Sequence, residues 1–219
     1  KANALWCGCD FDYHLEELTF TARLSTSLGD KPSPSPVQID GLPIQGLLPI
    51  NKLLALQALI CSGIQLDSDK CHSAMIHSKL YGRQQQVSYK GKTIILDVAH
   101  NPAAAKALGR SLEDRKGKII AVASVLADKD WSAMVAAMAP VIDDWKIAEL
   151  AGISRAAKGH SLLKLLYNRG LEASLFETIN EAFITALSEV SQDDILVVFG
   201  SFHTVAKVME IISAEVSSE

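Results

Sequence analysis

The segment TIILDVAHNPAAAKAL, residues 93–108, places an acid, a histidine and an amide directly after an apolar run that is typical of a buried strand. A carboxylate at Asp97 needs hydrogen-bond donors, which neighbouring loop N–H groups or the hydroxyls of a ribose could supply. His100 stands where an anion would approach a helix start, although a capping or packed histidine fits equally well. Asn101 before Pro102 is favoured as the cap of that helix.

Polar side chains also follow the later apolar runs of the second half. They are Asp128, Lys129, Asp130, Arg155, Ser201 and His203. Because ligands of open parallel sheets bind outside the carboxyl ends of the strands, we expect a cluster of mixed charge at that edge. Simpler roles remain open: Asp128 or Asp130 could cap the helix that follows, and Lys129 could be a solvated charge. Ser201 or Thr204 could likewise cap the last helix.

The elements that position these side chains recur regularly. Apolar, β-branched runs begin at residues 93, 118, 145, 173 and 194, with helical stretches between them. This alternation predicts an α/β fold, a Rossmann-like and mostly parallel sheet with flanking helices. The last helix should bury one stripe, because four apolar residues recur at helical spacing. They are Val205, Val208, Met209 and Ile212.

The first 80 residues show a different pattern. We predict short strands within 3–14 and 16–25, a proline-rich extended loop at 31–43, a helix at 47–63 that ends at Gly63, and a second helix near 68–78. So few strands suggest the tail of a larger domain, whose open edges predict disorder or self-association. The polar, glycine-marked segment 80–92 is taken as a linker, with domains at 1–80 and 81–219.

Composition restricts the classes of partner. The chain has 219 residues, 48% hydrophobic and 21% charged, with a net charge of −4, so no sequence-independent binding to nucleic acid or membrane is indicated. No apolar run is long enough for a membrane span, and the start does not resemble a signal peptide. The four cysteines lack the spacing of zinc sites, so we predict no metal ligands and a reduced, cytoplasmic setting.

Three segments carry a family resemblance: GRQQ at 82–85, LDVAHNP at 96–102 and VFGSFHTVAKVM at 198–209. They resemble the C-terminal half of bacterial bifunctional dihydrofolate synthase/folylpolyglutamate synthases, a branch of the Mur-type ATP-dependent amide ligases. The resemblance implies that 1–80 is the C-terminal part of the central ATPase domain. It implies that 81–219 is the Mur-ligase C-terminal, glutamate-ligase domain.

The implied reaction is ATP-dependent ligation of L-glutamate to dihydropteroate, folylpolyglutamates or both, through an acyl phosphate, by a monomeric cytoplasmic enzyme that uses ATP and Mg²⁺. In cofactor binding, the resemblance assigns Asn51 to the nucleotide base, Arg83 to the ATP phosphates and Asp97 to the ribose. We therefore expect these three residues to bind ATP in the intact enzyme.

The resemblance also assigns catalytic and substrate-binding residues. His100 matches a histidine near the transferred phosphate, Ser201 lies in a segment that lines the glutamate side of the cleft, and Lys129 belongs to the same cleft. Gln84 stands where close relatives carry phenylalanine, and Ala103 where histidine is frequent; neither has an assigned role.

The phosphate loop, the magnesium ligands and the modified lysine of the family are expected outside this chain, so the chain alone should be inactive. The alternative is a non-catalytic α/β domain that binds a nucleotide or an amino acid.

Overall fold

The computed structural model describes residues 4–26, 36–44, 47–78 and 80–216. The chain divides into two compact units, residues 1–80 and residues 81–219. Each unit is described by itself. Their assignment to named domains of a larger enzyme stays a prediction.

The first unit is a three-stranded antiparallel sheet with two helices, in the strand order β1-β2-β3. Its elements are β1 Asp12–Leu15, β2 Thr19–Leu24, β3 Val37–Pro43, α1 Pro49–Cys61 and α2 Ser68–His77. One apolar cluster fills it, centred on the buried side chains of Phe20, Leu24, Leu42 and Leu53. The two buried polar side chains of α1 are hydrogen-bonded: Lys52 donates to the carbonyl of Pro43, and Gln57 pairs with the backbone of Ser25.

Both helices and two strands of this unit are confirmed, and one prediction is wrong. The predicted extended loop at 31–43 contains β3, which pairs along β2 and buries Ile39 and Leu42. The strand forms because its apolar side chains add to the sheet face that the helices cover, and the prolines that suggested a loop precede it. Residues 31–35, the proline-rich part, lie outside the described residues. The first strand is shorter than predicted, since β1 begins at Asp12.

The second unit contains a six-stranded sheet in the order β4-β5-β9-β6-β7-β8, with helices on both faces. Its elements are β4 Gln85–Tyr89, β5 Lys92–Asp97, α3 Pro102–Arg110, β6 Ile119–Ala123, α4 Trp131–Met138, β7 Asp144–Ala148, α5 Gly159–Tyr167, β8 Ala173–Phe176, α6 Ile179–Glu189, β9 Ile195–Phe199 and α7 Phe202–Val216. Strands β5 to β9 are parallel neighbours, which confirms the predicted α/β fold.

The predicted linker at 80–92 contains a strand, β4, so this prediction is wrong. It pairs antiparallel with β5 through a two-residue turn at Lys90 and Gly91, both with positive φ, and such a turn matches the twist of a hairpin. The polar residues of β4 hid the strand, since it lies at an edge of the sheet and only Tyr89 is fully buried there.

Helices α3, α4 and α5 pack on one face of this sheet and α6 and α7 on the other. The predicted stripe of α7 is confirmed: Val205 and Val208 are buried, and Met209 and Ile212 pack against the same cluster. The loops after β5 and β9 therefore lead to opposite faces, although these two strands are neighbours. Such a divergence of adjacent loops opens a crevice at the carboxyl edge.

No helix among the described residues is long and apolar enough to cross a membrane. Cys7, Cys9, Cys61 and Cys71 are free thiols.

Candidate functional site

The carboxyl edge of the sheet brings three strand ends into register. Asp97 at the end of β5 pairs with Phe199 of β9, which pairs in turn with Ala123 of β6. The residues that follow each strand therefore start from one line across the sheet. Most side chains that the sequence analysis placed at this edge belong to these loops.

A bend before β4 fixes Arg83 beside the end of β5. Gly82 has a φ of +65°, and a Cβ there would lie 2.9 Å from the side chain of Val98, so glycine is required on both counts. Val98 N donates to the carbonyl of Gly82 at 2.7 Å, and Gln84 N donates to Oδ2 of Asp97 at 2.8 Å. Gln84 has a φ of +44°, an uncommon conformation for a non-glycine residue, which these contacts stabilise.

Asp97 is 7% exposed, and its two carboxylate oxygens accept from different backbone N–H groups. Oδ2 accepts from Gln84, and Oδ1 accepts from Ala99 at 2.7 Å. Burial raises the pKa of Asp97 above its ordinary value, and the two N–H donors and the nearby charge of Arg83 oppose that rise. A carboxylate has about four acceptor sites, so two remain for a further donor such as a hydroxyl.

The imidazole of His100 is oriented by its own backbone. Nδ1 lies 2.8 Å from the carbonyl of Val98. A carbonyl only accepts, so Nδ1 carries the proton and Nε2 is left for a ligand. In the neutral form Nε2 accepts a hydrogen bond; it donates to an anion only when the ring is an imidazolium.

The predicted cap of α3 is confirmed, because Asn101 accepts from Ala104 N at 2.9 Å with Pro102 at the first helical position. Asp130 caps α4 in the same way, through Ala133 N. These two side chains thus have the simpler of the roles that the sequence left open.

Ser201 caps α7 and is 3% exposed. Its Oγ accepts from Thr204 N at 3.0 Å and lies 2.7 Å from the hydroxyl of Thr204, which donates to the carbonyl of Ser124 at 3.0 Å. Because Thr204 has one proton and gives it to that carbonyl, Ser201 is the donor between the two hydroxyls. The hydroxyl of Ser201 is therefore used inside the turn, and its contact with a substrate stays a prediction.

Lys129 lies in the loop after β6 and pairs with a carboxylate of that loop. Its Nζ is 3.0 Å from Oδ2 of Asp128, and Arg155 reaches the same oxygen at 3.1 Å. The hydrogen bond from Lys129, together with the charge of Arg155, holds the pKa of Asp128 below its ordinary value. Lys129 and Arg155 thus lie at the predicted edge, where both pair with Asp128. The substrate role of Lys129 stays a prediction.

Phe202, the first residue of α7, contacts two of the predicted site residues. The guanidinium carbon of Arg83 lies 5.8 Å from the centroid of its ring, and the ring of His100 lies 6.1 Å away at a tilt of 38°. No role for Phe202 was predicted from the sequence. Phe202 lies three residues before Val205 and seven before Met209, which is the spacing of the apolar stripe, so the sequence pattern gave no signal of a separate role.

The second unit thus brings Arg83, Asp97 and His100 together at one edge. Asn51 belongs to the first unit, where it is the exposed third residue of α1. Its predicted contact with a nucleotide base stays a prediction.

A divalent metal is not held by these residues alone. Among the described residues no group of three or more His, Cys, Asp or Glu side chains could ligate an ion. Among Arg83, Asp97 and His100, Asp97 supplies a single carboxylate, each oxygen of which already accepts one backbone N–H. The donor set present here therefore does not fit Mg²⁺, which requires several oxygen ligands.

Comparisons with known proteins show which family this chain is similar to. The family described as "Mur ligase, glutamate ligase domain" matches residues 82–202. The dihydrofolate synthase/folylpolyglutamate synthase of Escherichia coli K12 is 35% identical over 178 residues, which is 80% of this chain and 41% of that protein.

Solved structures of folylpolyglutamate synthases are similar to this chain in fold. The complex of Escherichia coli FolC with DHPP and ADP has a TM-score of 0.80 and 31% identity, and covers 95% of this chain and 47% of that one. A bifunctional folylpolyglutamate synthase/dihydrofolate synthase with Mn, AMPPNP and L-glutamate bound has a TM-score of 0.78 and 30% identity, over 94% of this chain and 47% of that one. This chain spans about half the length of these relatives. With more than half of its residues matched, the chain belongs to the Mur ligase family.

Proposed function

We propose that this chain is the carboxyl-terminal part of an ATP-dependent ligase that joins L-glutamate to dihydropteroate, to folylpolyglutamates or to both. Residues 1–80 are then the C-terminal part of the central ATPase domain, and residues 81–219 are the glutamate-ligase domain. The observation that carries the proposal is the convergence of Arg83, Asp97 and His100 at the carboxyl edge of a matched ligase domain. The relatives with ADP, AMPPNP and L-glutamate bound support the choice of ligands.

In this proposal Asp97 accepts hydrogen bonds from the ribose with the acceptor sites that Gln84 and Ala99 leave free. Arg83 lies beside it and contacts the phosphates, where a guanidinium binds two oxygens at once. Asn51 contacts the base. This division follows the order of groups along a nucleotide, with the ribose at the strand end and the phosphates toward the helix start.

His100 contributes to the transfer of the phosphoryl group. A carboxylate oxygen of the folate substrate attacks the γ-phosphorus of ATP, the bond to ADP breaks, and an acyl phosphate forms. The charge that builds on the phosphoryl oxygens is stabilised by donors placed in advance. Because Nδ1 of His100 is held by Val98, only the imidazolium form can donate to those oxygens from Nε2.

The second step makes the amide. The amine of glutamate attacks the acyl carbon, phosphate leaves and the amine loses a proton. Ser201 and Lys129 are proposed on the glutamate side, Ser201 through the turn that it caps and Lys129 through its charge. Both lie in loops at the same edge as His100, which is where the two reactants must be brought together.

The remaining requirements lie in the other half of the enzyme. Mg²⁺ is expected as the metal, with its ligands and the phosphate loop in the part of the relatives that this chain does not match. We propose that the intact enzyme is a cytoplasmic monomer.

The experiment that tests the proposal is a coupled assay of the longest native product containing this chain. It is supplied with dihydropteroate or a folate, ATP, Mg²⁺ and L-glutamate. We expect release of ADP and phosphate that depends on both acceptor and glutamate. Saturable nucleotide or glutamate binding without turnover, in a native product that begins near Lys1, would support a non-catalytic binding domain instead.

A further inference from the structure

Phe202 is exposed in a position that core packing does not explain. Its side chain is 59% exposed, and it stands outside the buried stripe of α7. Two cationic or titratable side chains from other segments approach its ring, Arg83 from the bend before β4 and His100 from the turn after β5. Phe202 is thus the point at which three chain segments meet above the carboxyl edge.

The backbone of Arg83 is fixed, but its side chain is long. The bend is held by the contacts of Gly82 with Val98 and of Gln84 with Asp97. Beyond the Cα atom, the guanidinium has four rotatable bonds, and among the described residues it forms no ion pair within 4.0 Å. The ring of Phe202, 5.8 Å from the guanidinium carbon, is within the range of a cation–π contact and restricts these rotations.

His100 is restricted in a complementary way. The hydrogen bond from Nδ1 to Val98 sets the plane of the imidazole, and the tilted ring of Phe202 lies on one side of it. One aromatic side chain therefore limits both groups that the proposed reaction places at the phosphates. Removing it would leave both residues present but less well oriented, and orientation alone can change a rate.

We propose that Phe202 is a positioning residue whose ring holds the guanidinium of Arg83 and the imidazole of His100 at the carboxyl edge. The positioning of these two side chains is inferred from contacts within this chain. Its effect on the reaction rate rests on the proposed ligase function. The ring acts through Arg83 and His100, so its effect depends on their presence.

The geometry is tested by NMR of the imidazole signals of His100 in the 219-residue chain. We expect Phe202→Leu, which removes the ring current and keeps an apolar side chain, to shift these signals, and Phe202→Tyr to leave them close to the native positions. The matched control is Tyr167→Leu, since Tyr167 is 57% exposed and lies at the other end of the fold, bonded to the first residue of β8. Unchanged His100 signals in Phe202→Leu, or an equal shift in the control, would overturn the proposal.

The kinetic role is tested in the longest native product. Loss of an exposed cation–π contact should lower kcat/KM for ATP about two- to fivefold in Phe202→Leu, and Phe202→Tyr should restore it. In an Arg83→Ala background the same change should have a smaller effect, because only the orientation of His100 then still depends on the ring. Fully additive losses would contradict the positioning role. If the native product has no ligase activity, the proposed function fails, and the NMR result still decides the geometry.

Discussion

The two units differ in how completely each buries its apolar surface. In residues 81–219 the sheet is covered on both faces, by α3, α4 and α5 on one side and by α6 and α7 on the other. In residues 1–80 a three-stranded sheet and two helices form one cluster. Most large exposed apolar side chains of the described residues belong to this smaller unit. They are Trp6, Leu15, Leu18, Leu48, Leu54, Leu59, Ile64, Ile76 and Leu80.

The difference separates residues that the fold positions by itself from those that depend on more of the enzyme. The second unit fixes Arg83, Asp97 and His100 with hydrogen bonds that lie entirely within 81–219. The first unit carries Asn51 on an element with much exposed apolar surface, and such surface usually marks an interaction site. We propose that the other half of the intact ligase covers it.

The largest expected effect is a complete one. The 219-residue chain should neither hydrolyse ATP nor ligate glutamate, because its sequence has no phosphate loop and the described residues of the second unit include no cluster of metal ligands. A coupled assay with the purified chain checks this, with the longest native product as positive control. Turnover by the chain alone would contradict the proposal that catalysis needs the other half of the enzyme.

The next largest effect is expected for core substitutions made in each of the two units. Leu42→Ala in β3 and Leu196→Ala in β9 delete the same group from fully buried sites, one in each unit. Each should lower the free energy of unfolding of its own unit by about 2–5 kcal/mol. Denaturation followed by circular dichroism, and by tryptophan fluorescence in a Trp6→Phe background that leaves Trp131 and Trp145 of the second unit, checks this. A single transition that both substitutions shift equally would show that the units unfold together.

A smaller effect is expected for His100→Ala in the longest native product. Loss of one charged hydrogen bond should lower kcat by about 10- to 100-fold and change glutamate binding much less, because the contact forms with the phosphoryl group. Steady-state kinetics with varied glutamate checks the split. An unchanged kcat would remove the role assigned to His100.

The smallest effect concerns Asp97 and pH. Burial raises the pKa of Asp97 in the folded chain, so folding favours the protonated carboxyl. The contribution of this group to the free energy of unfolding is therefore fully present below the unfolded pKa of about 3.9 and is lost as pH rises through the folded pKa. The free energy of unfolding of the native chain, measured relative to that of Asp97→Asn, should therefore decline with rising pH. Urea unfolding of both proteins from acid to neutral pH measures it, and a difference that does not change with pH would contradict the buried carboxyl.

The sequence predicted most of the second unit because its signals are local and repeated. The five apolar runs became β5 to β9, and the Asn-Pro start of α3 was read from residue types alone. The placement of Asp97 and His100 followed from their position after a strand. These features depend on chain periodicity and capping, which short windows contain.

The missed features depend on pairing across distance. Strand β4 is polar because it lies at an edge, and β3 was hidden by the prolines before it. The contacts of Phe202 with Arg83 and His100 join segments more than 100 residues apart, so no local pattern could show them. The same holds for the hydroxyl of Thr204, which bonds to Ser124 across 80 residues.

The most direct test of the central claim follows an oxygen atom in the longest native product. Dihydropteroate with isotopically labelled carboxylate oxygen is supplied with ATP, Mg²⁺ and L-glutamate, and the released phosphate and the glutamylated product are analysed by mass spectrometry. We predict one labelled oxygen in each phosphate released, together with the new amide, because the acyl phosphate transfers that oxygen. Formation of the amide with unlabelled phosphate would contradict the acyl phosphate, and absence of any amide would contradict the ligase itself.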